Sequence, residues 1–331
     1  MKRKAFPLES MSLKTLAVAA TLAMGGLSAF AVPTFAAVAD APAGSAAAPA
    51  AHVPLLWKVS DGDNSLYLLG SIHVLKKSDY PLSPDVDAAL RDAKTVIFEL
   101  DMDDMTKPEN LAKMQQSFAF EDGRKLSGVL PPATWTKLEA MFAKTGTPVS
   151  AVEGVEPWAL NLQLVMGVMI GMGFDPQAGV DHHLTREAKK AGKSLIALET
   201  LQDQIDMFEA QPDAEQVRGL ERFFDNPKET VQLMQAMHAG WKAGDVEALD
   251  RDLRGVMAAG APESYRVVNV VRNDKWVPKL QARLDAHGRG DDSLAVVGAM
   301  HLLGADGVVE KLRAKGYRVE RVCSACDTAR H

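Results

Sequence analysis

The chain has 331 residues, 47% of them hydrophobic and 24% charged, with a formal net charge of −6. This balance suits a folded globular protein with a full core and excludes a disordered or fibrous chain. The acidic excess also argues against nucleic acid and anionic membrane as partners.

At the start, Lys2, Arg3, Lys4 and Lys14 accompany an apolar run from Leu16 to Phe35, with small-residue sites at Ala29-Phe30-Ala31 and Ala37-Val38-Ala39. The pattern predicts a secretory signal peptide over residues 1–39, cut after Ala39, and therefore an exported, periplasmic or secreted protein. An uncleaved anchor is the alternative, but Gly25, Gly26 and Pro33 interrupt the run, and no stable membrane span is expected after cleavage. Losing four positive charges and one negative charge moves the net charge from −6 to −9. Residues 40–52 are rich in Ala and Pro and read as a flexible linker. A single domain is expected over residues 53–326.

Leu55–Val59 and Leu66–Leu69 flank Asp61-Gly62-Asp63-Asn64, which predicts a hairpin. Gly70 and His73 follow the second strand. Ser83-Pro84-Asp85 supplies an N-cap, a first-turn proline and an acid, so a helix is predicted to about Ala93. Val96–Asp101 reads as a strand that carries Glu99 and Asp101 on one side, and a carboxylate in such a buried run needs a partner. Helices are predicted over Trp135–Lys144 and Trp158–Met172; the second is almost wholly apolar but contains Asn161 and Gln163, which favours a buried core helix over a membrane span. A helix from Asp181-His182-His183 to Lys190, a strand from Ser194 to Leu198 ending at Glu199, and helices over Leu201–Ala286 come next. The last of these helices carries Arg266, Arg272 and Asn273.

The C-terminal segment repeats the plan of the first: strand Leu294–Val297, Gly298-x-x-His301, a helix over about Asp306–Lys315, then strand Tyr317–Val322. The expected fold is therefore α/β, a central sheet built from two related strand-GxxH-helix-strand halves, with a large helical insertion between them. Cys323 and Cys326 are the only cysteines, and their spacing suits a local disulfide or two free thiols better than redox catalysis.

One Gly-x-x-His is a weak signal, since glycine and histidine near a strand end usually mark a turn. Two copies in the same context, with Glu99 close behind the first, point to a site. Two imidazoles and a carboxylate can hold a divalent metal with positions left for water and substrate, and glycine gives the backbone room to turn. Glu99 is a candidate ligand or general base, or the partner of a buried arginine. Arg272 is a candidate clamp for a carboxylate or developing oxyanion, or a salt-bridged helix charge. Asp181, His182, Glu199 and Asn273 form a second tier; adjacent histidines on a helix cannot both face one site. No Gly-x-Ser-x-Gly elbow, Walker loop or Gly-x-Gly-x-x-Gly occurs, which lowers the prior for serine hydrolases, nucleotide-dependent enzymes and Rossmann dehydrogenases.

Leu66–His73, Val96–Asp101, Gly179-Val180-Asp181, Leu198-Glu199-Thr200, Arg272-Asn273 and Gly298–Gly304 together resemble the TraB/GumN family, which includes the Tiki metalloproteases, over roughly Leu55 to Val322. The resemblance implies an α/β core with two related halves and a metal site at His73, His301 and Glu99, with Arg272 in support. For Tiki-like members it implies peptide hydrolysis dependent on a divalent ion such as manganese or cobalt. The expectation is a metal-dependent hydrolase of the cell envelope, using manganese, cobalt or zinc, with a peptide or small amide as substrate. The competing expectation is a non-catalytic metal- or ligand-binding envelope protein involved in polysaccharide or surface assembly.

Overall fold

The structure is a computed structural model describing residues 52–285 and 291–327. The signal peptide and nearly all of the linker expected from the sequence lie outside the described residues.

Two largely buried runs, Leu56–Ser60 (β1) and Ser65–Ser71 (β2), pair as an antiparallel hairpin. Its turn is closed by Asp61, whose carboxylate accepts from the backbone N–H groups of Asp63 and Asn64 at 3.0 and 2.9 Å. The Pro84–Asp92 helix starts where its signals place it, with the Ser83 hydroxyl accepting from the Asp85 N–H at 3.3 Å. Thr95–Phe98 (β3) is shorter than expected: it ends before Glu99, and Asp101 is exposed rather than aligned with Glu99 on a strand face. The reason is tertiary, because the pairing of β3 with both its neighbours stops at Phe98.

Ser194–Ala197 (β4), Ser293–Gly298 (β5) and Arg318–Arg321 (β6) complete a six-stranded sheet in the order β4-β3-β5-β2-β1-β6. The first four are mutually parallel, and β1 is antiparallel to both β2 and β6. The two related halves are thus joined in one sheet, with β2 and β5 side by side and Ser71 opposite Gly298. From β2 the chain crosses through the Pro84–Asp92 helix to β3, beyond β5; from β5 it crosses through the Val308–Ala314 helix to β6, beyond β2 and β1. The two crossovers leave in opposite directions. The carboxyl ends of β2 and β5 are therefore a topological switch point, where open α/β sheets form their binding crevices.

Helices cover the sheet. Pro157–Gly171 is the expected core helix, burying Trp158, Ala159, Leu160, Leu164, Val168 and Met169; among the described residues no helix is long and apolar enough to cross a membrane. The Pro227–Ala243 helix is tied to β2 by the Trp241 indole N–H, which donates to the Gly70 carbonyl at 2.8 Å. Long helical stretches do fill most of Leu201–Leu284, but they include π-type turns at Asp250–Gly255 and at Arg266–Val270. Cys323 and Cys326 are joined as a disulfide just beyond β6.

Candidate functional site

Each of the four parallel strands delivers one titratable side chain just past its carboxyl end: His73 after β2, Glu99 after β3, Glu199 after β4 and His301 after β5. The Val271–Leu284 helix lays Arg272 and Asn273 against them. His73, His301 and Glu99 converge on Gly298. The point that a Gly298 Cβ would occupy lies 3.3 Å from Glu99 Oε1 and 3.6 Å from both His73 Nε2 and His301 Cδ2. A Cβ there would be tight against Glu99 and in ordinary contact with both imidazoles.

Arg272 is the hub. Its Nε donates to both oxygens of Glu199 at 3.0 Å, and its Nη2 to Glu99 Oε2 at 2.6 Å and to Glu199 Oε1. Its Nη1 donates to the Val268 carbonyl at 3.3 Å and to His301 Nε2 at 3.0 Å. These bonds use all five guanidinium N–H groups, so as placed none is left for a substrate carboxylate or oxyanion. The preceding π-type turn, Arg266–Val270, contains Val268, the carbonyl partner; such widened turns are frequent at functional sites.

Because Arg272 can only donate, His301 Nε2 must accept. His301 is therefore neutral, with its proton on Nδ1 donated to Asn273 Oδ1 at 2.7 Å, a tautomer assigned from the network. Burial pushes its pKa down to about 3. Asn273, fully buried, is itself fixed by donating to the Asp306 carbonyl at 2.8 Å. Burial raises the pKa of Glu99, but the charge of Arg272, with help from the charged His73 and the Gly298 N–H, outweighs it and holds the carboxyl at about 2. At that value Glu99 is a fixed anion and a poor proton acceptor. Glu199 moves the other way, raised chiefly by burial.

His73 differs from the rest. Its side chain is 62% exposed, against 10% for Asp181, so it faces solvent. Nδ1 donates to Asp181 Oδ2 at 2.9 Å, while the other Asp181 oxygen accepts from the Ser71 hydroxyl at 3.2 Å. The Asp181 charge outweighs desolvation and lifts the His73 pKa to about 9. Asp181 is positioned by the start of the Val180–Lys190 helix, whose Val180 N–H donates to the Ile72 carbonyl at 3.1 Å. Gly179 permits this approach: a Cβ there would lie 2.1 Å from the His73 carbonyl oxygen. Gly179→Ala is accordingly expected to displace the His73 loop and to destabilise the fold by about 1–3 kcal/mol, the range for overpacking; a urea melt measures the loss, and an unchanged midpoint would contradict the packing described.

His182, next in the chain to Asp181, stands outside this hydrogen-bonded network. Trp276 was not anticipated from the sequence. Its ring lies 4.4 Å from that of His301 and 4.7 Å below the Arg272 guanidinium carbon, so it floors the site. Its spacing, four residues past Arg272 and three past Asn273, is the helical signal that could have found it.

The donor chemistry suits a divalent cation: two imidazoles whose Nδ1 atoms are anchored by Asp181 and Asn273, and one carboxylate. The placement is less open. His301 Nε2 and Glu99 Oε2 already accept from Arg272, and among the described residues no group of three or more His, Cys, Asp or Glu is set to hold a metal ion. A bound cation would have to take those lone pairs from the guanidinium.

The strand-end histidines, Glu99, Glu199 and the Arg272-Asn273 pair all fall within residues 55–321, the span matched by the TraB/PrgY/gumN family model. The chain belongs to the TraB/PrgY/gumN family. It is also similar to the uncharacterized protein YbaP of Shigella flexneri, with 25% identity over 255 residues, covering 76% of this chain and 89% of that protein. Family membership by itself leaves the reaction to be argued from the site.

Proposed function

We propose that this TraB/PrgY/gumN family member is a hydrolase of peptide or amide bonds that works in the cell envelope. The observation that supports this reading best is the Asp181-backed imidazole of His73, open to solvent beside the buried Arg272–Glu99–Glu199 network. A histidine oriented through Nδ1 by a carboxylate leaves Nε2 free to move a proton to or from a reacting group. With its pKa lifted to about 9, His73 is protonated at neutral pH and suited to donate to a leaving amine. Arg272 acts as a positioning residue: it holds Glu99, Glu199 and His301 in place.

A divalent cation, with manganese, cobalt or zinc as the candidates, would be held by His73 Nε2, His301 Nε2 and Glu99, and in that loaded form His73 would be a ligand and not the proton donor. When bound, the cation would polarise a carbonyl and acidify water. Such binding competes with a proton on His73, so manganese affinity should rise about tenfold per pH unit as the pH approaches 9, with proton release on loading. Isothermal titration at pH 6, 7 and 8 checks this; affinity independent of pH would remove His73 from the ligand set.

The test of the function is incubation of purified protein with a peptide library, with each metal and with chelator, the products being read by mass spectrometry. Cleavage abolished by chelator supports a metal-dependent hydrolase. Cleavage that survives chelator keeps the hydrolase and removes the metal. Metal binding without any cleavage overturns the hydrolase in favour of a binding protein.

A further inference from the structure

The two edges of the sheet are built differently. The β6 edge, Arg318-Val319-Glu320-Arg321, carries three charges in four residues, the usual protection against pairing with another chain. The β4 edge, Ser194-Leu195-Ile196-Ala197, carries none, and Ile196 is 42% exposed. The Ser194 and Leu198 N–H groups donate towards β3, to Lys94 and Phe98 at 3.2 and 2.8 Å. Since alternate residues of a strand direct their backbone groups to opposite sides, Leu195 and Ala197 point their N–H and C=O groups away from β3. Among the described residues no strand pairs with β4 on that side.

We infer that the free edge of β4 is the substrate-docking edge: an extended peptide adds there as a seventh strand and is led into the site past Glu199. This rests on the hydrolase reading for what happens to the peptide afterwards. Three observations favour this occupant. The edge is continuous with the site, because β4 runs directly into Leu198 and Glu199, and Glu199 is gripped by Arg272. Recognition through main-chain groups needs no particular side chains on the guest, which suits an uncharged edge. Two outward residues offer at most four main-chain hydrogen bonds, far too little surface for a stable dimer of this chain, which needs on the order of 1,000 Å².

The geometry also sets a distance. A guest strand would lie three strand spacings from β5, about 14 Å at roughly 4.8 Å each, and an extended chain covers about 3.3 Å per residue. The bond presented to His73 and His301 should therefore lie about four residues from the edge-paired segment.

The test is hydrogen exchange of wild-type protein, read at the Leu195 and Ala197 amides, with and without a blocked octapeptide of alternating Thr and Val. The expected result is at least tenfold slower exchange at both amides with the peptide at millimolar concentration. Ala197→Pro removes one outward donor while sparing the bonds to β3, and a thermal melt checks that it folds. It should weaken peptide binding at least tenfold in fluorescence anisotropy. Unchanged exchange at millimolar peptide overturns the inference, as does wild-type peptide affinity in a folded Ala197→Pro protein. Slow exchange that depends on protein concentration without peptide also overturns it, because a second copy then covers the edge. Protection without cleavage leaves the edge assignment standing and counts against the hydrolase; library cleavage with freely exchanging edge amides does the reverse.

Discussion

Replacing Arg272 by Met is expected to destabilise the protein by about 3–5 kcal/mol, the cost of leaving buried charge without its partner. Arg272, Glu99 and Glu199 are all under 10% exposed, and one guanidinium neutralises both carboxylates. Without it two buried anions face each other, and His301 Nε2 loses its donor. The pH dependence separates this from lost packing. In the wild type the Glu99 carboxyl lies at about 2, below its ordinary 4.5. Its contribution is therefore fully present above about pH 4.5 and lost as the pH falls towards 2. Glu199, raised by burial, contributes with the opposite sign. In Arg272→Met both carboxyls lose the cation that holds their pKa values down, so both should titrate higher. As the pH falls from 7 to 5 the variant should therefore gain stability relative to the wild type. Urea midpoints across that range measure it; parallel curves for the two proteins would show that the charge network contributes little.

His73→Ala is expected to lower kcat/KM for peptide cleavage by about 10²–10⁴-fold, the usual contribution of a positioned acid–base group. Some stability should be lost as well, because Asp181, 10% exposed, loses its charged partner, and a thermal melt checks that the variant folds. Asp181→Asn provides the complementary test. It removes the charge that lifts the His73 pKa, so the pH profile of cleavage should shift towards lower pH by a measurable fraction of the present elevation. A His73→Ala protein with wild-type kcat/KM would remove His73 from the reaction, whatever the metal content.

The local signals were legible because they are short-range. The Asp61 turn, the Ser83 cap and the repeated Gly-x-x-His each depend on neighbours within a few residues, and each appears where the sequence places it. The extent of β3 was not legible. Nothing in Val96–Asp101 marks the point where pairing stops, since that depends on how far β4 and β5 reach. The role of Gly179 was hidden for the same reason: the atom it makes room for belongs to His73, far away in the chain. Arg272 shows the deeper limit. The sequence leaves open whether a helix arginine faces substrate, solvent or carboxylates, and only the count of its hydrogen bonds reveals a donor set spent inside the protein.

By itself the sequence determined the α/β class, the family and the two half-motifs, because apolar periodicity and glycine-histidine spacing are properties of a linear chain. Tertiary structure alone decided that β2 and β5 lie side by side at a switch point, and that four strand ends meet around Gly298. It also decided that Arg272 stands between the carboxylates and His301. The physical reason is that strand order and the direction of a buried charge are set by contacts between residues far apart in the chain, such as Ser71 and Gly298, and local preferences do not encode them.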